Sequence, residues 1–266
     1  MKEQILSLVS PDYPWKDRFF WVDETDSTND QLKKMARLGA PHGTVMIADR
    51  QSGGHGRMGR SFHSPGGMGI YFSILLRPDC APGDLMHLTC ATAVAMCDAV
   101  EKAAGFRPGI KWTNDLVYKK HKLGGILTEL GLSSKGSIDY AIIGIGINCC
   151  QTETDFPEEI RGIAASLSLV SPKNIDRAAV AAAMMESLYR MDRDLLTEKA
   201  SILERYRQNC ITIGQEISLV RVGEPVRHGK AVGMDDNGAL MVEFTDGHTE
   251  TVSSGEVSVR GMYGYL

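Results

Sequence analysis

The chain has 266 residues, 43% of them hydrophobic and 23% charged, with 29 Lys and Arg against 33 Asp and Glu for a net charge of −4. This is an ordinary balance for a soluble globular protein and excludes a disordered chain, a collagen and a disulfide scaffold. It also leaves no bulk positive charge for holding DNA or an anionic membrane.

Residues 1–10 carry Lys2 and Glu3 ahead of Pro11 and are too short for a signal h-region. The apolar runs 85–97 and 140–150 fall short of the ~18 residues of a membrane span. No membrane partner is expected. The six cysteines show no C-x-x-C and sit in apolar segments, as reduced buried thiols do. That predicts a cytoplasmic protein without a thiol metal site.

In chain order, residues 19–22 form an aromatic and branched run that predicts a strand. Ser27, Thr28 or Asn29 caps a helix running to Leu38 and stopped by Gly39 and Pro41. Residues 44–48 and 70–76 read as strands, separated by the polar, glycine-rich stretch 51–69. A helix opens at Gly83 and Asp84, carries Leu85, Leu88, Ala91, Val94 and Ala95 at helical spacing, and ends at Gly105. Residues 110–112, 116–118, 125–130 and 140–147 predict strands, and one long helix covers Arg177 to about Arg207. After Cys210 come short strands at 216–220, 229–234, 239–244, 249–252 and 257–259, with turn residues between them. They predict a small all-β barrel. Two domains follow, 1–210 and 211–266.

Gly54-His55-Gly56-Arg57-Met58-Gly59 matches the glycine fingerprint of dinucleotide sites and nearly spells a P-loop. Both need a helix next, and Pro65 with the glycines around it forbids one. What remains is a loop suited to an anion. Glycines let backbone N–H groups approach closely, and Arg57 and Arg60 supply phosphate-binding forks. Read alone, a solvated surface loop fits equally well.

Five motifs accompany or flank this loop. Asp26-Ser27-Thr28-Asn29 and Gln51-Ser52-Gly53-Gly54 come before it or open it. Lys111-Trp112-Thr113-Asn114-Asp115, the run from Lys122 through Gly124-Gly125 to Glu129, and Gly144-Ile145-Gly146-Ile147-Asn148 come after. In this order they resemble the biotin protein ligases. Phe156-Pro157, Ala165-Ser166-Leu167 and the run Gly255-Glu256-Val257-Ser258-Val259-Arg260 extend the likeness over nearly the whole chain. His55, Met58, Thr113, Phe62 and Cys150 depart from the family's usual residues.

The resemblance implies an α+β fold. A mixed sheet with flanking helices, of the class II synthetase-like kind, would carry a small C-terminal SH3-like β-barrel. It implies an ATP-dependent ligase that makes biotinyl-5′-AMP and passes biotin to a lysine of a biotin carboxyl carrier protein domain, in acetyl-CoA carboxylase or another biotin-dependent carboxylase. Lys122, Arg57 and Asp115 would be catalytic. Ser27, Thr28, Asn29, Gln51, Gly54, Lys122, Gly125, Gly144 and Gly146 would bind biotin. Arg57, Arg60, Phe62, Lys111, Asn114, Asn148 and Arg260 would bind the nucleotide. Mg²⁺ would enter with ATP, without a metal cage in the protein. Trp112 reads as a wall of the site or as a core residue, and Asp115 as a base or a turn cap.

The rivals are a lipoate or octanoate ligase on the same fold, a transcriptional regulator and a non-catalytic carrier-binding protein. The first lacks its usual loop here. The second needs a helix-turn-helix for which residues 1–26 are too short, so no specific DNA partner is expected. The third would be expected to have lost Lys122 or Arg57. Monomer and homodimer both remain open.

Overall fold

A computed structural model describes residues 1–221, 223–253 and 258–261, the last four through the backbone alone. The strands β1 (Phe19–Thr25), β2 (Thr44–Gln51), β3 (Gly69–Leu76), β4 (Gly109–Lys111), β5 (Asp115–Tyr118), β6 (His121–Leu132) and β7 (Ile138–Asn148) build one sheet. Their order is β1-β2-β3-β7-β6-β5-β4. Only β1 and β2 run parallel, so the sheet is mixed.

The helices are α1 (Lys2–Leu8), α2 (Thr28–Arg37), α3 (Leu88–Ala104), the one-turn α4 (Glu158–Arg161) and α5 (Leu167–Val170), α6 (Arg177–Asp194) and α7 (Lys199–Asn209). On one face of the sheet α3 and α6 close the main core, with α1 laid on α6 through the fully buried Ile5. On the other face α2 packs Leu32 and Ala36 against Met46, Leu75, Tyr140 and Ile142. Five more strands form an antiparallel sheet in the order β11-β10-β9-β8-β12. They are β8 (Glu216–Val220), β9 (Arg227–Met234), β10 (Leu240–Phe244), β11 (Thr249–Val252) and β12 (Ser258–Gly261). This α+β architecture agrees with the expectation from the sequence.

Two expected elements differ. The helix placed at Gly83 begins as a separate 3-10 turn, Pro82–Leu85, and α3 itself starts at Leu88. The single long helix after Arg177 is broken between α6 and α7. His87 Nε2 donates to the Leu195 carbonyl at 2.8 Å, drawing that oxygen toward the core, where Leu195 is buried. A tertiary bond from 108 residues away thus competes with the helix ladder.

The second sheet is fastened to the first through Trp112. The Trp112 backbone N–H donates to Thr212 Oγ1 at 2.9 Å, and its indole N–H donates to the Gly238 carbonyl at 3.0 Å. The Tyr206 hydroxyl donates to the Thr113 carbonyl at 3.1 Å. Trp112 is therefore a core residue that also reaches the cavity described below.

Candidate active site

The site forms where one row of β7 changes from large to small residues. Strand side chains alternate between faces. Ile143, Ile145 and Ile147 fill the main core, each contributing about 1.5–3 kcal/mol by burial. On the opposite face Tyr140 and Ile142 pack on α2, and the row then continues as Gly144 and Gly146. Pairing sets Ser73 and Leu127 beside Gly144, and Tyr71 and Gly125 beside Gly146. The resulting cavity has a volume of about 520 Å³, within the range of small-molecule sites. The two glycines also leave space for neighbouring side chains. A Cβ at Gly144 would collide with the Asn29 carboxamide, and one at Gly146 with the Phe62 ring. They make room for protein side chains that form the floor.

One end of the cavity is polar and neutral. Ser27 caps α2, its Oγ accepting from the Asp30 N–H. Gln51 Oε1 accepts from the Thr28 N–H at 2.8 Å and from the Thr28 hydroxyl at 3.0 Å. Asn29 Nδ2 donates to Glu129 Oε2 at 2.8 Å, and Ser73 Oγ donates to Asn29 Oδ1 at 2.5 Å. Ser27, Thr28, Asn29 and Ser73 are all buried.

The other end gathers charge. Lys122 Nζ donates to Asp115 Oδ1 at 2.7 Å, with the two side chains 29% and 18% exposed. The Lys122 backbone is held on both sides, donating to the Ile163 carbonyl at 2.7 Å and accepting from the Ala165 N–H at 2.9 Å. Gly125 faces Asp115 across β5 and β6, and a Cβ there would stand 3.3 Å from Lys122 Nζ. Lys111 is buried and pairs with Asp115 in the β4–β5 register. Arg57 Nη1 donates to Asn114 Oδ1 at 3.1 Å, and Asn114 Nδ2 donates to the Ile126 carbonyl at 2.8 Å. Burial lowers the Arg57 pKa from its ordinary value, with Arg60 acting in the same sense and Asp115 against it. Arginine stays ionised regardless, so a partly desolvated cation here favours an anionic guest.

The glycine–arginine loop doubles back over this end. The Gly56 N–H donates to the Arg60 carbonyl at 2.7 Å, and the Phe62 N–H to the Gly54 carbonyl at 2.9 Å. A Cβ at Gly54 would lie 2.6 Å from Ser64 Oγ, so this glycine lets the two arms of the loop cross. Gly54, expected at biotin, is not on the wall of the cavity. Phe62 meets Tyr71 edge-on at 6.4 Å. Asn148 Nδ2 donates to the Ala165 carbonyl at 3.1 Å. Phe156, Ile160 and Ile163 close the far wall.

Apart from Gly54 and Arg260, every expected site residue borders this one cavity. Arg260 stands opposite Ser218 in β12, but its side chain, like residues 255–257, lies outside the described residues. Sequence reasoning gave no role to Ser73, Glu129 or His63. Ser73 had one signal, being the only small polar residue in the apolar and aromatic run Ile70 to Leu76.

Comparison with known proteins bears on this geometry. A model of the biotin/lipoate A/B protein ligase family matches residues 21–148, and one of the biotin protein ligase C-terminal domain matches residues 212–260. The chain is 38% identical over 228 residues to the bifunctional ligase/repressor BirA of Bacillus spizizenii, covering 85% of this chain and 70% of that protein. The chain belongs to the biotin/lipoate A/B protein ligase family. Within it, the biotin–[acetyl-CoA-carboxylase] ligase of Mycobacterium tuberculosis is 30% identical over 241 residues, covering 89% of this chain and 86% of that protein. The biotin protein ligase of Aquifex aeolicus, solved in complex with biotin and ATP, superposes with a TM-score of 0.77 at 30% identity. That match covers 91% of this chain and 98% of the Aquifex chain.

Proposed function

We propose that the protein is an ATP-dependent biotin protein ligase, with residues 1–210 as its catalytic unit and 211–266 as its second domain. One observation carries the reading: a single cavity has a buried hydrogen-bonding floor at one end and a lysine–arginine cluster at the other. Biotin has the matching polarity, with a cyclic urea at one end and a carboxylate at the other. Lipoate and octanoate have no polar head. Covering Thr28, Asn29 and Gln51 with a dithiolane or a methyl group would cost about 1–3 kcal/mol for each polar group left short of a partner.

In the first step the biotin carboxylate oxygen attacks the α-phosphorus of ATP, and the bond to pyrophosphate breaks. Two anions must meet, so the reaction needs cations placed for the transition state. Lys122 serves the carboxylate and the α-phosphate, Arg57 and Arg60 serve the phosphates, and Lys111 supports them. Phe62, Asn114 and Asn148 hold the nucleotide, with Arg260 assigned to the triphosphate. In the second step the acceptor lysine nitrogen attacks the acyl carbon, AMP leaves, and Asp115 takes the amine proton. An unperturbed lysine has a pKa near 10.4, so a base is needed at neutral pH.

No group of three or more His, Cys, Asp or Glu among the described residues is placed to hold a metal ion. Asp115 is the one carboxylate on the cavity wall among those residues. Mg²⁺ fits this donor set as part of the nucleotide, ligated mostly by phosphate oxygens and water. The acceptor is a biotin carboxyl carrier domain, and the place of action is the cytoplasm. All six cysteines are unpaired thiols, and no described helix is long and apolar enough to cross a membrane.

ATP–pyrophosphate exchange measured in parallel with biotin, lipoate and octanoate tests the proposal. Biotin alone should support exchange, and faster exchange with either fatty acid would refute it. Arg57→Gly should still form the adenylate but release it, because the loop would no longer close over it. The readout is labelling of lysines on bystander proteins. Labelling no higher than that of the unmodified enzyme would remove Arg57 from the retaining role.

A further inference from the structure

Glu129 does not border the cavity, yet it is joined to the cavity floor. Its carboxylate accepts from Asn29 Nδ2 at 2.8 Å and from Lys33 Nζ at 2.6 Å. An ionised carboxylate can only accept. Asn29 is therefore fixed with its nitrogen toward Glu129 and its oxygen toward Ser73. Asn29 Oδ1 is 2.5 Å from Ser73 Oγ and cannot donate, so the single Ser73 hydroxyl proton goes to Asn29. Ser73 Oγ is then an acceptor toward Thr28 Oγ1, 2.7 Å away. The Thr28 proton has two places to go, Ser73 Oγ or Gln51 Oε1 at 3.0 Å, and both lie within the protein. Gln51 Oε1 is itself fixed as an acceptor by the Thr28 N–H. The carboxylate outside the cavity thus sets Asn29 and, through it, the Ser73 hydroxyl, and the Ser73 and Thr28 hydroxyl protons both find acceptors within the protein.

We propose that Glu129 is a positioning and specificity-determining residue. By fixing Asn29, it makes the floor of the cavity a row of oxygen acceptors that selects a ligand head bearing N–H donors. Gly144 is part of the same device, since only a residue without a Cβ leaves space for the Asn29 carboxamide. The inference rests on the biotin reading and deepens it. A cyclic urea offers two N–H groups to such a row. An acceptor-only or sulfur head offers none, and meets desolvated oxygens.

The test is Glu129→Gln in the full-length chain, assayed by ATP–pyrophosphate exchange. An amide both donates and accepts, so Asn29 would no longer be held one way round. The expected result is a biotin KM raised about tenfold, as for a weakened hydrogen-bond set. The kcat at saturating biotin and the KM for ATP should stay within about twofold, because transition-state contacts are untouched. Ser73→Ala cuts the same row one residue further on and should raise the biotin KM alike. If Glu129→Gln does not fold, Ser73→Ala decides alone. An unchanged biotin KM, or kcat and ATP KM worsening in step with it, overturns the assignment. An unmodified enzyme with no biotin-dependent exchange would instead refute the ligase reading itself.

Discussion

Lys122→Ala is expected to lower biotin-dependent ATP–pyrophosphate exchange by about a thousandfold, the upper range for losing one preorganised group at a developing charge. The fold should survive. Lys122 and Asp115 are partly solvated at 29% and 18% exposure, so losing their bond should cost no more than about 1–2 kcal/mol. In a chain of this size that is a fall in Tm of a few degrees. The backbone bonds to Ile163 and Ala165 do not depend on the side chain and should hold the strand in place. The decisive measurement pairs exchange kinetics with thermal melting. Exchange at the unmodified rate would dismiss Lys122 as the catalytic cation. A collapse in Tm matching the lost activity would recast it as structural.

Gly144→Ala should be nearly as damaging to activity by a different route. The added Cβ and the Asn29 carboxamide claim the same space. Asn29 must then leave Glu129 and Ser73, and the floor loses its order. Overpacking of this kind typically costs about 1–3 kcal/mol. The expected outcome is a biotin KM raised about a hundredfold or more, as several coupled bonds are lost together. ATP affinity should change much less, because the cation cluster lies at the other end of the cavity. Biotin titration by calorimetry beside nucleotide titration would show the split. A variant binding biotin with unchanged affinity would mean that the floor yields without consequence, and that the ureido site lies elsewhere.

The parts of this protein readable from its sequence are those whose chemistry is local. Capping at Ser27, the stop after Leu38, the glycine alternation in β7 and the order of the motifs follow from neighbouring residues. The mixed sheet and the gathering of Lys111, Asp115 and Lys122 were likewise within reach. What escaped was set over distance. The break at Leu195 depends on His87, and the role of Ser73 on Asn29 and Thr28, residues on another element. Helix α1 was missed because seven residues hold only one fully buried position, Ile5, too few to show a period. At Gly54 the sequence could not separate two needs, since a glycine that lets two chain segments cross looks like one that lets a ligand approach.

The fastening of Trp112 and Thr113 has a consequence for the order of events in synthesis. The segment that carries Lys111, Asn114 and Asp115 takes bonds from Tyr206, Thr212 and Gly238, all of which are translated much later. Domains fold as they emerge, N-terminal portions first. On the ribosome, the first sheet can therefore assemble with its cavity walled while Trp112 and Thr113 still lack these three bonds. The bonds that fasten Trp112 and Thr113 are all in place only after residue 238 has emerged, so the strand ends that carry the charged cluster take their final support late in synthesis.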